Sequence, residues 1–483
     1  MTRPIQLAGV VLAALTLAGC ASFSPDAGMG TAQTVAAVEL NKDVTKITTE
    51  DAAIDAEARV TLMLKRALTP DSAVQIALLK NRGLQAAFND LGVSEADYVK
   101  ATLPPSPRIS LLNFIGNGSL EIERQIVVSL LQLATLPARR AIAETRFEAA
   151  KYRAAEAVLR LAAETRRQYY RSVATGQTIT FLQQSLGTAE AASTLASSLG
   201  ETGALNKLEQ AREHAFYTET GAQLASARIQ QRIERERLTR QLGLWGRDID
   251  FRLPTGLPVL PGRLPPERDI EARALANRVD LQMARLDLQT LAGQFGLTNA
   301  IRFVSAFDIG VGQRIDKSTS TEVGSDGTVT RKTDTTRGIG PSLDFTIPIY
   351  DFGETGVVAA RETYFASANR LAERAVNARS EVREAYLRYR GQYDLARYYQ
   401  SSVIPLRQTI QQQTQLQANG MIVDATTLII DARQRILSNV QAINARRDFW
   451  IAATDLKAAL IGGVSNSSES NTPAPTTAAA TPD

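Results

Sequence analysis

Ala77-Leu78-Leu79-Lys80-Asn81-Arg82 is answered in the second half of the chain by Ala274-Leu275-Ala276-Asn277-Arg278. After each comes the same script: a strand pair (near 107 to 131, then near 301 to 349), a long helical run, and a glycine turn, at Gly200 and Gly203 and then at Gly420. The short echo alone says little, but a fixed order of elements repeated at this scale marks two copies of one structural unit. The first unit covers 70–243 and the second 267–461. Between them lies a connector, 244–266, with Pro254, Pro258, Pro261, Pro265 and Pro266, a composition that reads as irregular.

Within the first unit a helix is expected from an N-cap at Asp71 to about Ala101, where Pro104, Pro105 and Pro107 stop it. No proline separates Pro137 from Pro254, and Ala138, Ala141, Ala149, Ala150, Ala154 and Ala157 intersperse with Arg, Glu and Leu. High helix propensity with small side chains favours long, closely packed helices. Taken as one helix, 137–199 extends roughly 90 Å at about 1.5 Å per residue. Gly200-Glu201-Thr202-Gly203 then turns the chain, and Asn206 caps a return helix to about Gly243. The second unit repeats this with helices from about Glu267 to Gly296, Glu354 to Ala418, and Val423 to Leu460; Pro405 should kink the middle one. A leader rich in Ser, Thr and Asp occupies 20–69, and the Ser, Thr, Ala and Pro of 462–483 read as a disordered tail.

The strand segments alternate. Ile301, Phe303, Phe307, Ile309 and Val311 share one face against Arg302, Asp308, Gly310 and Gly312; Leu343, Phe345, Ile347 and Ile349 oppose Ser342, Asp344 and Thr346. In the first unit Leu120, Ile122, Ile126, Val128 and Leu130 oppose Glu121, Glu123, Gln125 and Ser129. Such alternation suits a transmembrane strand, apolar to lipid and polar to a lumen, and suits equally a half-buried strand of a soluble sheet. Export decides between them. Met1-Thr2-Arg3, the apolar run Ile5 to Thr16, and Leu17-Ala18-Gly19-Cys20 make a signal peptide (1–19) ending in a lipobox-like site, so Cys20 would become a lipidated first residue; Ala21 rather than Asp after it resembles the rule for sorting to the outer membrane. With no apolar run long enough for a membrane helix, the strands are read as membrane barrel. Four strands cannot close one, because open edges in lipid cost several kcal/mol per unpaired group and closed barrels need at least about eight strands. Two copies would give a filled barrel and three a passage. The Ser, Thr, Asp and Lys-rich stretch from Asp316 to Arg337, with Asp326-Gly327 as a hairpin turn, is expected as a loop outside the cell.

Composition excludes other classes. The net charge of +4 arises from 54 basic and 50 acidic residues scattered together, not from a block that would grip nucleic acid. Cys20 is the single cysteine, so neither disulfides nor thiolate metal sites are available. His214, the one histidine, has no neighbouring ligand partner and reads as an ordinary helix residue. Phosphate loops and nucleophile elbows are absent, and no enzyme, metal or cofactor is expected beyond the lipid on Cys20. Met29, Met63, Met283 and Met421 form no cluster for copper or silver.

Ser342-Leu343-Asp344-Phe345-Thr346-Ile347-Pro348-Ile349-Tyr350-Asp351-Phe352-Gly353 resembles the strand-to-helix junction of the TolC-type outer membrane factor family, and Asn419-Gly420-Met421-Ile422 with Asp431-Ala432-Arg433 resembles its periplasmic hairpin tip, echoed by Gly203 to Arg212. The likeness spans about 70–461; in the first unit the junction reads Leu133-Ala134-Thr135-Leu136-Pro137 instead. The resemblance implies a mostly helical protein with membrane strands: a homotrimer with a 12-stranded β-barrel in the outer membrane continuing into a 12-helix periplasmic α-barrel. It implies an exit duct of a tripartite efflux pump or a type I secretion system, joined by a periplasmic adaptor to an inner membrane transporter. The competing reading is a lipid-anchored, coiled-coil periplasmic scaffold or adaptor. Gly203, Ala204, Leu205, Gly420, Met421 and Ile422 are the expected adaptor contacts at the tips, although glycine also serves there simply to turn the chain. Asp424 and Asp431, seven apart on one helix face, could ring the aperture with carboxylates, or Asp431 could pair with Arg435.

Overall fold

The computed structural model describes residues 22–116, 119–264, 269–323, 329–420, 422–423 and 425–462. Cys20 and the signal peptide, the Asp326-Gly327 turn, Met421, Asp424 and the tail from 463 lie outside the described residues. The chain divides into two compact units, one built on 89–151 and 283–373 with the segment before Met29, the other on 29–88, 152–282 and the chain from Arg374.

The first unit holds the sheet. Strands β1 (Arg108–Gly116), β2 (Ser119–Ser129), β3 (Ala306–Val323) and β4 (Val329–Thr346) pair antiparallel in the order β1-β2-β3-β4, so both repeats contribute to one sheet. Cross-strand partners point to the same side, and the register Ile109↔Ile126, Ile126↔Val311 and Ile309↔Leu343 puts these residues on one face with Leu111, Ile122 and Phe345. That face is bare: Leu111 is 70% exposed, Val311 58% and Leu343 57%. Polar groups occupy the other side, where Glu121 pairs with Arg314 at 2.5 Å and the Gln125 amide donates to Ser342 Oγ at 2.9 Å. β1 and β4 are the sheet's edges.

Three strand ends differ from expectation. Ile301 and Phe303 are not strand: the preceding helix runs to Ala300, Ile301 N–H still donates to Leu297 O, and the turn places the Arg302 guanidinium 4.7 Å from the Phe303 ring and 3.1 Å from Glu354. Leu130 begins the short helix Leu130–Ala134, and Ile347 and Ile349 lie beyond β4, which stops just before Pro348, a residue without an N–H for a ladder. The stretch expected as a loop from Asp316 is instead paired strand on both arms, Asp316↔Thr336 through Val323↔Val329, with Thr319 and Thr333 hydroxyls 3.2 Å apart. Threonine and valine favour extended backbone, and facing threonines support each other, whatever the polarity of the stretch.

The second unit is built of helices, several of which run on into the first. α1 (Glu50–Leu64) and the segments Gly30–Val35 and Ala36–Leu40 show that the leader is largely helical, clipped in place by Gln75 to Asp43 and by Gln85 to Thr45. α2 (Pro70–Lys80) starts from Thr69, not Asp71: Thr69 and Ser72 cap each other, Pro70 takes the first turn, and Asp71 meets Arg166 at 2.9 Å. α3 (Arg82–Thr102) follows after a break at Asn81. α4 (Leu136–Glu201) is one helix of 66 residues, about 100 Å long. α5 (Lys207–Leu242) returns from a capping box of Asn206 with Glu209 and ends at Gly243 in the left-handed region. In the second repeat α6 (Ile270–Asn277) and α7 (Val279–Ala300) are separated by Arg278; α8 (Glu354–Tyr398) and α9 (Ile404–Asn419) by a π-turn, Tyr399–Val403, ahead of Pro405; and α10 (Ala425–Ile461) closes the repeat. Pro405 cannot donate to the preceding turn, and the wide π-turn absorbs the mismatch.

Aromatic packing anchors this unit and its connector. Phe449 meets Tyr389 and Tyr393 at 5.6 Å, and Tyr170 stacks on Trp450 at 5.7 Å. Their polar tips hold backbone: Tyr393 donates to Pro261 O, Trp450 Nε1 to Pro258 O, and Tyr169 to Leu68 O. The proline-rich connector is therefore irregular but strapped to the helices, as buried Tyr and Trp require a partner for their polar ends.

Candidate functional site: the hairpin tips

Two helical hairpins, α4 with α5 and α9 with α10, turn in the second unit. At the first tip Ala204 N–H and Leu205 N–H both donate to Leu199 O, Gly203 N–H donates to Gly200 O, and Gly203 sits at φ +73°. That left-handed position explains the glycine without any partner. The second tip is built differently. Gly420 has φ −83°, open to any residue, while its N–H donates to Leu416 O and Ile422 N–H to Gln417 O. Apolar side chains stand out from both tips: Leu208 is 61% exposed, Leu416 63% and Ile422 75%.

Behind the tips the hairpins share a core of Leu182, Ala189, Phe216, Leu224, Ile429 and Ile436. Above that core lies a cavity of about 210 Å³, lined by Leu195, Leu199, Leu205, Phe216 and Leu428 and by the polar residues Glu213, Gln411, Thr414, Gln415 and Asp431. Asp431 accepts a hydrogen bond from the Thr414 hydroxyl at 2.5 Å, across its own hairpin, so its described partner is Thr414. Glu213 is 6% exposed, and its Oε2 has no hydrogen-bond partner among the described residues. Burial pushes the Glu213 carboxyl up from its ordinary range, and the nearby Arg433 charge pulls it partly back. Arg433 also lies 3.0 Å from Glu219 and 5.8 Å from the Phe216 ring centre, while its Nε is, like Glu213 Oε2, buried with no hydrogen-bond partner among the described residues. His214 lies between two hydroxyls of α4, Ser193 at 2.5 Å from Nδ1 and Ser197 at 3.3 Å from Nε2.

Sequence reasoning passed over Glu213. A signal was present: it heads the buried stripe Phe216, Thr220 and Leu224 on α5, at helical spacing, where an acid is out of place. Of the expected tip residues, the structure brings Gly203, Ala204 and Leu205 together in one turn and Gly420 and Ile422 in the other. Only Leu205 among them lines the cavity.

Residues 272–462 match the family model described as outer membrane efflux protein. That segment is similar to the outer membrane efflux protein family. The match coincides with the second repeat, from within α6 to just past α10. Solved structures extend the likeness to both repeats. The outer-membrane channel OprN is 16% identical, with a TM-score of 0.65, over 92% of this chain and 97% of its own. The Campylobacter jejuni CmeC outer membrane channel is 15% identical, with a TM-score of 0.61, over 88% and 89%. The Neisseria gonorrhoeae MtrE outer membrane channel, in its open state, is 17% identical, with a TM-score of 0.64, over 81% and 88%. No curated protein sequence matches the chain. At these identities the structural likeness speaks for the fold.

Proposed function

We propose that this chain is the outer membrane exit duct of a tripartite efflux pump, three copies enclosing one passage. The observation that carries this reading is the sheet: four strands from two repeats, an exposed apolar face, and free edges at β1 and β4. In hydrocarbon those edges must be paired, four strands are too few to close a barrel, and a twelve-stranded wall from three copies is wide enough for a passage. The long hairpins of three chains would supply twelve helices for a periplasmic tunnel. The lipid on Cys20 adds an anchor, and substrates pass without chemistry.

In this reading the exposed apolar tips around Leu205 and Ile422 meet a periplasmic adaptor, which connects the duct to an inner membrane transporter. Because Asp431 is engaged by Thr414, an aperture ring of carboxylates would rest chiefly on Asp424. Reconstitution tests the whole reading: purified protein should run as three copies by native mass spectrometry and give stepwise, ohmic conductance in planar bilayers. A stable monomer with no conductance would overturn it.

A further inference from the structure

We propose that the outer arms of β3 and β4 hold a lipid whose headgroup carries two separated phosphates, through Lys317, Arg331 and Arg337, an inference that rests on the sheet lying in the outer membrane. Charge is sorted between the two faces of the sheet. By register, the face of Ile309 and Leu343 also receives Arg124, Lys317, Arg331 and Arg337, and no carboxylate among the described residues. The opposite face receives Glu121, Glu123, Asp308, Asp316, Asp334 and Asp344. Cations on that opposite face have partners: Arg314 meets Glu121 at 2.5 Å and Asp316 at 3.3 Å, and Lys332 lies 3.9 Å from Asp334. The four cations of the apolar face are exposed, and none has an ion partner among the described residues.

Position along the strands says what these charges meet. β3 leaves α7 and β4 leads to α8, so the Ala306 and Thr346 end joins the helices, and Val323 and Val329 lie at the far, outer end. From Phe307 to Lys317 the strand advances ten residues, about 34 Å at full extension. Tilted about 35–45°, that length rises about 24–28 Å, against an apolar band about 25 Å tall. Lys317 pairs with Thr335, two residues from Arg337, which makes the two cations diagonal neighbours roughly 7–8 Å apart. They stand at the rim where hydrocarbon gives way to headgroups. Arg331 is four residues beyond Thr335 on the same face, about 14 Å further out, and the rows between carry the hydroxyls of Thr319, Thr321 and Thr333.

A phosphorylated lipid satisfies both halves of this face at once. Its chains lie along Ile309, Val311 and Leu343, and its phosphates meet the cations, arginine offering a planar fork that matches phosphate oxygens. Two cationic stations about 14 Å apart suit two phosphates better than one. A zwitterionic headgroup would bring its own ammonium against like charge. A soluble acidic polymer would find the cations but leave the apolar rows below them bare. Arg124, opposite Gln313 and deeper in the face, keeps the sign uniform.

Native mass spectrometry of the full-length, detergent-purified protein tests the assignment with three added lipids: diphosphoryl lipid A, its monophosphoryl form and phosphatidylcholine. The diphosphoryl lipid should be retained at least fivefold over the monophosphoryl form and tenfold over phosphatidylcholine. K317Q/R331Q/R337Q should lower that retention at least tenfold. R337Q alone, with helical circular dichroism unchanged, should lower it roughly fivefold, the worth of one cation beside an anionic lipid surface, and this variant decides the matter if the triple one does not fold. Equal retention of the three lipids, undiminished retention by the variants, or full displacement of the lipid by excess inorganic phosphate would each overturn the proposal. Conductance of the same preparation in planar bilayers separates this from the duct reading: a conducting protein that retains no lipid overturns the docking site alone, and a non-conducting protein that retains it overturns the duct alone.

Discussion

Asn81 and Arg278 occupy the same place in the two repeats. Each is the residue at which a helix breaks, with backbone angles of −68° and 116° for Asn81 and −63° and 121° for Arg278, and each donates its N–H four residues back, to Ala77 O and to Ala274 O. The equivalence pairs Asn81 with Arg278, one step away from the shared Asn-Arg dipeptide. Both side chains then reach the end of the closing helix of their own repeat: Asn81 Nδ2 donates to Gln241 O and Arg278 Nη1 to Ala459 O. One geometry is thus secured twice, once by a neutral amide and once by a buried cation.

That difference in chemistry sets the cost of removing each residue. Arg278 is 2% exposed and forks onto Asp280 at 2.8 and 3.0 Å while also meeting Glu381 at 2.8 Å. Taking away the cation leaves a buried carboxylate uncompensated, a loss of about 3–5 kcal/mol. Asn81→Ala loses a cap on Leu84 N–H and the bond to Gln241 O, about 1–2 kcal/mol. Urea denaturation followed by helical circular dichroism should therefore rank Arg278→Met well below Asn81→Ala, and the reverse order would contradict the assignment.

The glycines beside these breaks predict a second ranking. Gly243 closes α5 at φ +69°, where an added Cβ would lie 2.6 Å from Lys80 O; Gly462 follows α10 at φ +88°, where it would lie 2.8 Å from an Asp280 carboxylate oxygen. Gly203 has a similar φ of +73° but nothing within 4 Å of a Cβ. Alanine at Gly203 should cost only the left-handed strain, about 1–2 kcal/mol, whereas Gly243→Ala adds a clash with backbone that cannot swing aside. A larger drop in melting temperature for Gly243→Ala than for Gly203→Ala is the expected result.

On the sheet, the two faces should respond oppositely to charge. Val311 lies on the apolar face, and Gly338, paired with Arg314 on the polar face, has open space where a side chain would go. With the sheet set in a bilayer as proposed, Val311→Arg would put a cation against lipid at about 2–4 kcal/mol near the midplane, while Gly338→Glu gains a neighbour in Arg314. The yield of protease-resistant barrel on insertion into bilayers should fall for Val311→Arg and hold for Gly338→Glu. Equal yields would remove the lipid-facing assignment.

Much of this was legible locally. Period-two alternation located β2 and the heart of β3 and β4; Asn206 and the glycine turn located the first tip; Pro405 located the interruption of the second descending helix. What escaped notice depends on partners distant in sequence. The break at Asn81 is held by Gln241, 160 residues away, and that at Arg278 by Ala459, 181 away. The arms of β3 and β4 read as loop because serine, threonine and lysine are polar, although their pairing needs only extended backbone and facing hydroxyls. Glu213 shows only as an acid at the head of an apolar stripe: α5 alone does not say that the other hairpin covers it.

The same carboxyl predicts how stability varies with pH. Burial raises the Glu213 pKa in the folded chain, with Arg433 opposing, so the protonated form is the one the fold accommodates. Below about pH 4.3, the ordinary range for a glutamate, both folded and unfolded chains hold the proton and Glu213 costs nothing. As pH rises from there through the folded value, the unfolded chain releases its proton first, and the folded state loses stability relative to it. Glu213→Gln keeps the shape and never ionises. Its midpoint in urea should match wild type near pH 4 and exceed it at pH 7.5, the gap opening across the window above the unfolded glutamate pKa. Should the gap instead open toward acid, Glu213 would be a carboxylate stabilised in its charged form, and the partnerless Oε2 would have a cation beside it within the protein.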